Sequence, residues 1–225
     1  MFLNLSNKKY IAVGDIHGCA ATLKAFIEEL KPFYDRTFIF VGDYIDRGPD
    51  SEGVVNFLLE FREKVNCVFL RGNHEQMMLD ALAGGDRQLW LMNGGRTTIH
   101  SYQNDGQQFE LPDEHREFYE QTQLYCDTED YFFVHAGISP AKTIKESLEH
   151  KREMQDFLWI RSHLNAFELP WEKTIVFGHT PRPHPIRKSK MIGIDTGCVY
   201  NRPGYGKLTG VLLPEEEFVE HACID

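Results

Sequence analysis

Five short segments place metal-ligating or proton-carrying side chains near glycine: "GDIHG" at 14–18, "GDYIDRG" at 42–48, "RGNHE" at 71–75, "VHAG" at 134–137 and "FGHTP" at 177–181. Together they supply Asp15, His17, Asp43, Asn73, His74, His135 and His179. Histidine mixed with carboxylate suits zinc, iron or manganese better than an all-oxygen site would, and the set needs no cysteine. A carboxylate can bridge two cations about 3.5–4 Å apart, so a two-metal centre is within reach of these residue types. Taken singly, each Gly-Asp could be a plain turn and each histidine a loop residue. Chance repetition of one pattern at five strand ends is a poor explanation of the set.

The elements that must carry these side chains are legible as apolar runs. "KYIAVGD", "RTFIFVGD" and "VNCVFLRGN" read as buried strands. The segments between them, "AATLKAFIEELK" and "SEGVVNFLLEFREK", carry apolar residues at helical spacing. Strand, helix, strand, helix, strand over 8–73 predicts right-handed βαβ units and a largely parallel sheet. Ligands of such sheets bind beyond the carboxyl ends of the strands, where the motifs fall. "HEQMMLDALAGG" predicts a short helix stopped by glycines. The region at about 84–130 reads as a partly helical insertion that could roof a site, with helical character in "DEHREFYEQTQLY". Strands return at "DYFFVHAGI", "KTIVFGHTP", "KMIGIDTG" and "KLTGVLLP", expected in a second, more mixed or antiparallel sheet. "REMQDFLWIRSHL" reads as helical at first, ending near Arg161. No composition shift divides the chain, so residues 1–225 read as one domain.

The bulk composition narrows the function classes. A net charge of −10 argues against broad binding of nucleic acid or membrane surfaces while leaving room for a local cation site. The five cysteines are far apart with no CxxC pair, which points to a reducing, cytoplasmic setting. The start "MFLNLSNKKYIAVGD" lacks the order of a signal peptide, and no apolar run approaches the length of a membrane span.

The five motifs, in this order, resemble those of the PPP-type metallophosphatases: the serine/threonine protein phosphatases together with the symmetrical diadenosine tetraphosphatases. The resemblance runs from about residue 10 to 200, and the compact length is similar to that of small bacterial and phage members. It implies an α/β fold, a calcineurin-like β-sandwich of two mixed sheets flanked by helices. It also implies two divalent metal ions, manganese first, with iron and zinc as alternatives. Asp15 and His17 would hold the first metal, Asp43 would bridge, and Asn73, His135 and His179 would complete the second. A metal-bridging hydroxide would attack phosphorus directly. Arg47, Arg71 and Arg161 would bind the phosphoryl charge, Arg161 by the short match of "LWIR" to a Trp-x-Arg stretch of bacterial members. His74 would protonate the leaving alkoxide, oriented and charged by Asp46.

The expected activity is therefore serine/threonine protein phosphatase, extending to phosphotyrosine, with a phosphorylated protein or peptide as partner. The alternative is a symmetrical bis(5'-nucleosyl)-tetraphosphatase. Against it stand "DRG", "RGNHE" and "GHTP", where that branch has a different residue before "RG", "GNHD" and "GHW". A second alternative, a phosphopeptide-binding pseudoenzyme, would require a broken site. The oligomeric state is open, with a monomer as the default.

Outside the motifs, His100, His115, His150, His163, His184 and His221 are expected to be solvated or packed. Asp195 in "IDTGCVY" is expected to support a turn. In "NGGRTTIHSY" the glycines are plain turns, or else Asn93 and Arg96 line a substrate groove. Tyr44 faces either the sheet or the cleft. The basic "PRPHPIRKSK" reads as a surface loop, and Asp50 or Ser51 caps the helix after the second strand.

Overall fold

The computed structural model describes residues 9–103, 109–149 and 155–225. The first third realises the expected alternation: β1 (Tyr10–Val13), α1 (Ala20–Glu29), β2 (Thr37–Phe40), α2 (Ser51–Arg62) and β3 (Cys67–Phe69). β1 and β2 run parallel, as do β2 and β3. Asp50 is the N-cap of α2, its carboxylate accepting from Gly53 N at 2.8 Å. Next come α3 (Asn73–Leu82), α4 (Arg87–Trp90), a π-helical turn (Leu91–Gly95), α5 (Arg96–Tyr102) and α6 (Asp113–Gln121). The rest of the chain supplies β4 (Tyr125–Asp127), β5 (Tyr131–Val134), α7 (Ile144–Glu149), α8 (Asp156–Trp159), β6 (Thr174–Phe177), β7 (Ile186–Lys188), β8 (Met191–Gly193), β9 (Lys207–Leu213) and β10 (Glu217–Ala222).

These strands form two mixed sheets, β10-β9-β1-β2-β3 and β4-β5-β6-β8-β7, packed as a sandwich with helices outside. The period-two alternation of side chains divides the core into layers. Ala12, Ile39 and Val41 meet Phe133, Val176 and Ile192 between the sheets. Ile11, Val13, Phe38 and Phe40 face the α1–α2 side, and Phe132, Val134 and Phe177 face Phe157 and Trp171 on the other side. A strand covered on both faces reads as a continuous apolar run.

The structure corrects several expectations. "KLTGVLLP" forms β9, which pairs antiparallel with β1 in the first sheet rather than joining the second. Leu208 and Leu212 pack with the helix-side core while Val211 and Leu213 pack between the sheets, so β9 needs cover on both faces. The helix in "DEHREFYEQTQLY" ends at Gln121, and Tyr125 already begins β4. Ile186–Lys188 of the basic loop forms the edge strand β7 against β8. Tyr44 is buried in the core, its hydroxyl donating to Leu70 O at 2.7 Å. Residues 1–8, His150 and the start of "REMQDFLWIRSHL" lie outside the described residues. Among the described residues no helix is long and apolar enough to cross a membrane.

Candidate active site

The turns after β1, β2, β3, β5 and β6 converge at one end of the sandwich. They bring Asp15, His17, Asp43, Asn73, His135 and His179 together, all six buried. Gly72 and Gly178 permit the close approach, since a Cβ on Gly72 would strike Asp43 Oδ1 and one on Gly178 would strike Asp15 Oδ1. Seven non-glycine residues among those described have positive φ, and five of them are His17, Asp43, Asp46, Arg47 and His179. Left-handed backbone costs a non-glycine residue about 1–3 kcal/mol and tends to gather where geometry serves a ligand.

Backbone carbonyls select the tautomers of two imidazoles. His17 Nδ1 lies 2.8 Å from Ile45 O, and His135 Nδ1 lies 2.9 Å from Val41 O. Each ring therefore carries its proton on Nδ1 and turns the Nε2 lone pair inward. His17 Nε2 is 3.5 Å from Asp43 Oδ2, and His135 Nε2 is 3.5 Å from Asp43 Oδ1. His135 Nε2 also lies 2.9 Å from Asn73 Oδ1 and 3.1 Å from His179 Nδ1. Burial lowers the pKa of His17, His135 and His179, the last to about 2. Burial works to raise that of Asp43, but His135, His74, His17 and His179 outweigh it and hold the carboxylate well below its usual range.

Neutral imidazoles around an ionised carboxylate are the protonation states a divalent cation requires. Ligand atoms about 2.0–2.2 Å from one metal lie roughly 3–3.5 Å from each other, so these separations fit a shared cation on each side of Asp43. His17, Asp43 and His74 form one group that could hold an ion, and Asp43, His135 and His179 form a second. Asp15 joins neither group; both its carboxylate oxygens accept from His179 N, at 3.1 and 3.0 Å. Burial, Asp195 and Asp43 raise its pKa well above the carboxylate norm.

His74 stands beside this cluster, at the start of α3. Its Nδ1 is 2.7 Å from Asp46 Oδ2, and its Nε2 is 4.0 Å from Asp43 Oδ2. Burial opposes protonation of His74, yet Asp43 and the hydrogen-bonded Asp46 raise its pKa overall. Asp46 is held by the insertion: Trp90 Nε1 donates to both carboxylate oxygens at 3.1 Å, and Thr98 Oγ1 donates to Oδ1 at 2.6 Å.

The three arginines fare differently. Arg47 Nη1 lies 2.5 Å from His17 Nε2, and its guanidinium sits 5.8 Å from the centre of the Tyr200 ring. Arg161 is exposed, and its charge helps to lower the pKa of His135 and His179. Arg71 is turned away to the end of α6, donating to Thr122 Oγ1, Gln76 Oε1 and the carbonyls of Tyr119, Glu120 and Thr122.

Three residues of the site escape a reading by sequence. Glu75 is fully buried, with Oε2 accepting from Asp43 N and Gly72 N and Oε1 from Tyr44 N, each at 2.8 Å. Burial and Asp43 push its carboxyl up to about 7. Its place three residues after the helix-capping Gly72 was a usable signal. Trp90 and Thr98 carried none. Within "NGGRTTIHSY" the side chain that reaches the site is Thr98; Asn93 bonds Leu89 O at 2.8 Å and Arg96 is exposed. Asp195 accepts from Gly197 N at 2.8 Å, the turn expected of it.

A two-sheet sandwich ending in paired His/Asp clusters defines a metal-dependent phosphoester hydrolase. The chain belongs to the calcineurin-like phosphoesterase family, whose model matches residues 8–204. It is 30% identical to the asymmetrical bis(5'-nucleosyl)-tetraphosphatase PrpE of Halalkalibacterium halodurans, over 92% of this chain and 91% of that protein. It is 35% identical to serine/threonine-protein phosphatase 1 of Salmonella typhimurium, over 88% of each chain. Among solved structures it resembles a candidate diadenosine tetraphosphatase, with a TM-score of 0.70 and 23% identity over 97% of this chain and 95% of the other. It also resembles the cold-active protein-tyrosine phosphatase of a psychrophilic Shewanella species, with a TM-score of 0.61 and 18% identity over 95% of this chain and 77% of the other. At those identities the two structures establish the fold alone.

Proposed function

We propose that this protein is a cytoplasmic phosphoprotein phosphatase acting on phosphoserine and phosphothreonine, and also on phosphotyrosine. Asp15, His17 and Asp43 hold one divalent cation and Asp43, Asn73, His135 and His179 the other, manganese being the expected metal. When bound, the two cations supply Lewis acidity and an acidified water. Arg47 and Arg161 meet the phosphoryl oxygens, while Arg71, committed to α6, supports the loop that carries Asn73 and His74. His74 gives its Nε2 proton to the leaving serine alkoxide, which is too basic to depart unprotonated. Asp46 holds that imidazole and favours its charged form.

The observation that carries this reading is the 2.7 Å His74–Asp46 contact, placed with His74 Nε2 4.0 Å from the central Asp43. An alkoxide leaving group needs such an acid; a phosphate leaving group needs it far less. A second reading, hydrolysis of dinucleoside polyphosphates, is supported by the PrpE relatives. Those relatives are asymmetrical enzymes, which shifts this alternative away from symmetrical cleavage. The test compares rates on a phosphoserine peptide and on diadenosine tetraphosphate at one manganese concentration. Faster peptide hydrolysis is expected. Faster production of AMP and ATP would favour the second reading, and metal binding without either reaction would favour a phosphopeptide-binding protein.

A further inference from the structure

Three thiols from distant parts of the chain meet beside the His17 turn, where Cys19 Sγ lies 3.6 Å from His17 O. Cys19 precedes α1, Cys198 lies in the turn after β8, and Cys223 follows β10. Their sulfurs all lie within 4.8 Å of one another, and the Cys19 and Cys223 sulfurs are 3.9 Å apart. Cys19 and Cys198 are buried, and Cys223 is partly exposed. A cavity of about 300 Å³ reaches Cys198 and Cys223, lined also by Tyr200, Arg202, Tyr205 and Asp225.

Isolated buried cysteines serve as small apolar side chains. Three converging from separate segments form a donor set instead. Zinc–thiolate bonds of about 2.3 Å at a tetrahedral angle put two sulfurs about 3.8 Å apart, which matches the Cys19–Cys223 separation. A disulfide would need those sulfurs at about 2.0 Å, much closer than they stand. The absence of any imidazole or carboxylate in the trio selects a soft cation over manganese or magnesium. The carboxylate of Asp225 is already engaged with Ala21 N, Thr22 N and Thr22 Oγ1, which leaves the cavity side for a water as fourth ligand.

We propose that Cys19, Cys198 and Cys223 bind one thiophilic cation of the zinc type, separate from the His/Asp centre. The ion would tie β10 to the turn bearing His17 and to the loop bearing Tyr200, against which Arg47 lies.

Cobalt(II) titration of the reduced full-length protein tests this. The His/Asp centre offers only nitrogen and oxygen, so a thiolate-to-cobalt charge-transfer band reports the cysteines alone. The band should correspond to one thiolate-bound cobalt per chain and bleach on adding zinc. It should vanish in Cys223→Ser and in Cys198→Ala, with cobalt-dependent hydrolysis of p-nitrophenyl phosphate retained. Cys223 is partly exposed, so its variant decides the matter should Cys198→Ala fail to fold. Cobalt binding without the band, or a band that survives in Cys223→Ser, would overturn the proposal. So would a Cys19–Cys223 disulfide found by mass spectrometry in protein purified without reductant.

Discussion

His74 Nδ1 and Asp46 Oδ2 lie 2.7 Å apart, and both side chains are buried. The pair is fixed from outside its own loops. Asp46 also accepts from Trp90 Nε1 and Thr98 Oγ1, so the 84–102 stretch sets the direction in which the carboxylate, and hence the imidazole, points.

Replacing Asp46 with Asn should keep the shape and remove the charge that favours protonated His74. Turnover of a phosphoserine peptide should fall about 100-fold or more, the usual size of a lost acid–base contribution. Hydrolysis of p-nitrophenyl phosphate should change little, because its leaving group needs no proton, and metal content by elemental analysis should hold. Equal losses on both substrates would count against a proton-donating pair.

Thr98→Val removes one donor to Asp46 Oδ1 and the acceptor of Asp46 N at 2.9 Å. Trp90 Nε1 and Ser51 Oγ still serve those two atoms, so the loss of a hydrogen bond to a charged carboxylate should cost about 1.5–3 kcal/mol in urea unfolding. The same variant should reduce turnover of the phosphoserine peptide more than that of the aryl phosphate. A stability loss without this substrate difference would make Thr98 a packing residue only.

Glu75→Ala leaves the N–H groups of Asp43, Tyr44 and Gly72 without their acceptor. The Asp43 turn carries the central carboxylate, so manganese affinity by calorimetric titration should fall about 10- to 100-fold, as when a residue supporting a metal ligand is lost. Unchanged affinity would place the Asp43 turn under other control.

Acid should destabilise the fold through His163, which is far from solvent and packs on Phe177 and Trp171. Neither ring nitrogen has a hydrogen-bond partner among the described residues, and burial pushes its pKa down to about 4. The unfolded chain takes up this proton near pH 6.5 and the folded protein only near 4, so stability falls as pH drops through that window. The full difference is on the order of 3 kcal/mol between pH 7 and pH 4. His163→Phe should flatten that part of the stability–pH curve, measured by urea unfolding at several pH values. An unchanged slope would assign the acid sensitivity elsewhere.

Much of this site is legible in the sequence. Asp15, His17, Asp43, Asn73 and His179 each follow an apolar run through a glycine and His135 follows one directly, and a strand end can be recognised locally by where a buried run stops. The two buried faces of β1 and β2 were likewise written in their unbroken apolar residues.

The sequence by itself determined which residue types stand at five strand ends, and therefore the family and its class of chemistry. Only the tertiary structure decided which atoms face one another. Asp46 meets Trp90 and Thr98 across 44 and 52 positions of chain, a pairing that no local period encodes. β9 returns to the edge of β1 because both its faces are apolar, and that partnership depends on which edge is left open. Arg71 stands in a phosphatase motif yet spends its guanidinium on the end of α6, since a long flexible cation goes to whichever carbonyls the packed chain leaves within reach.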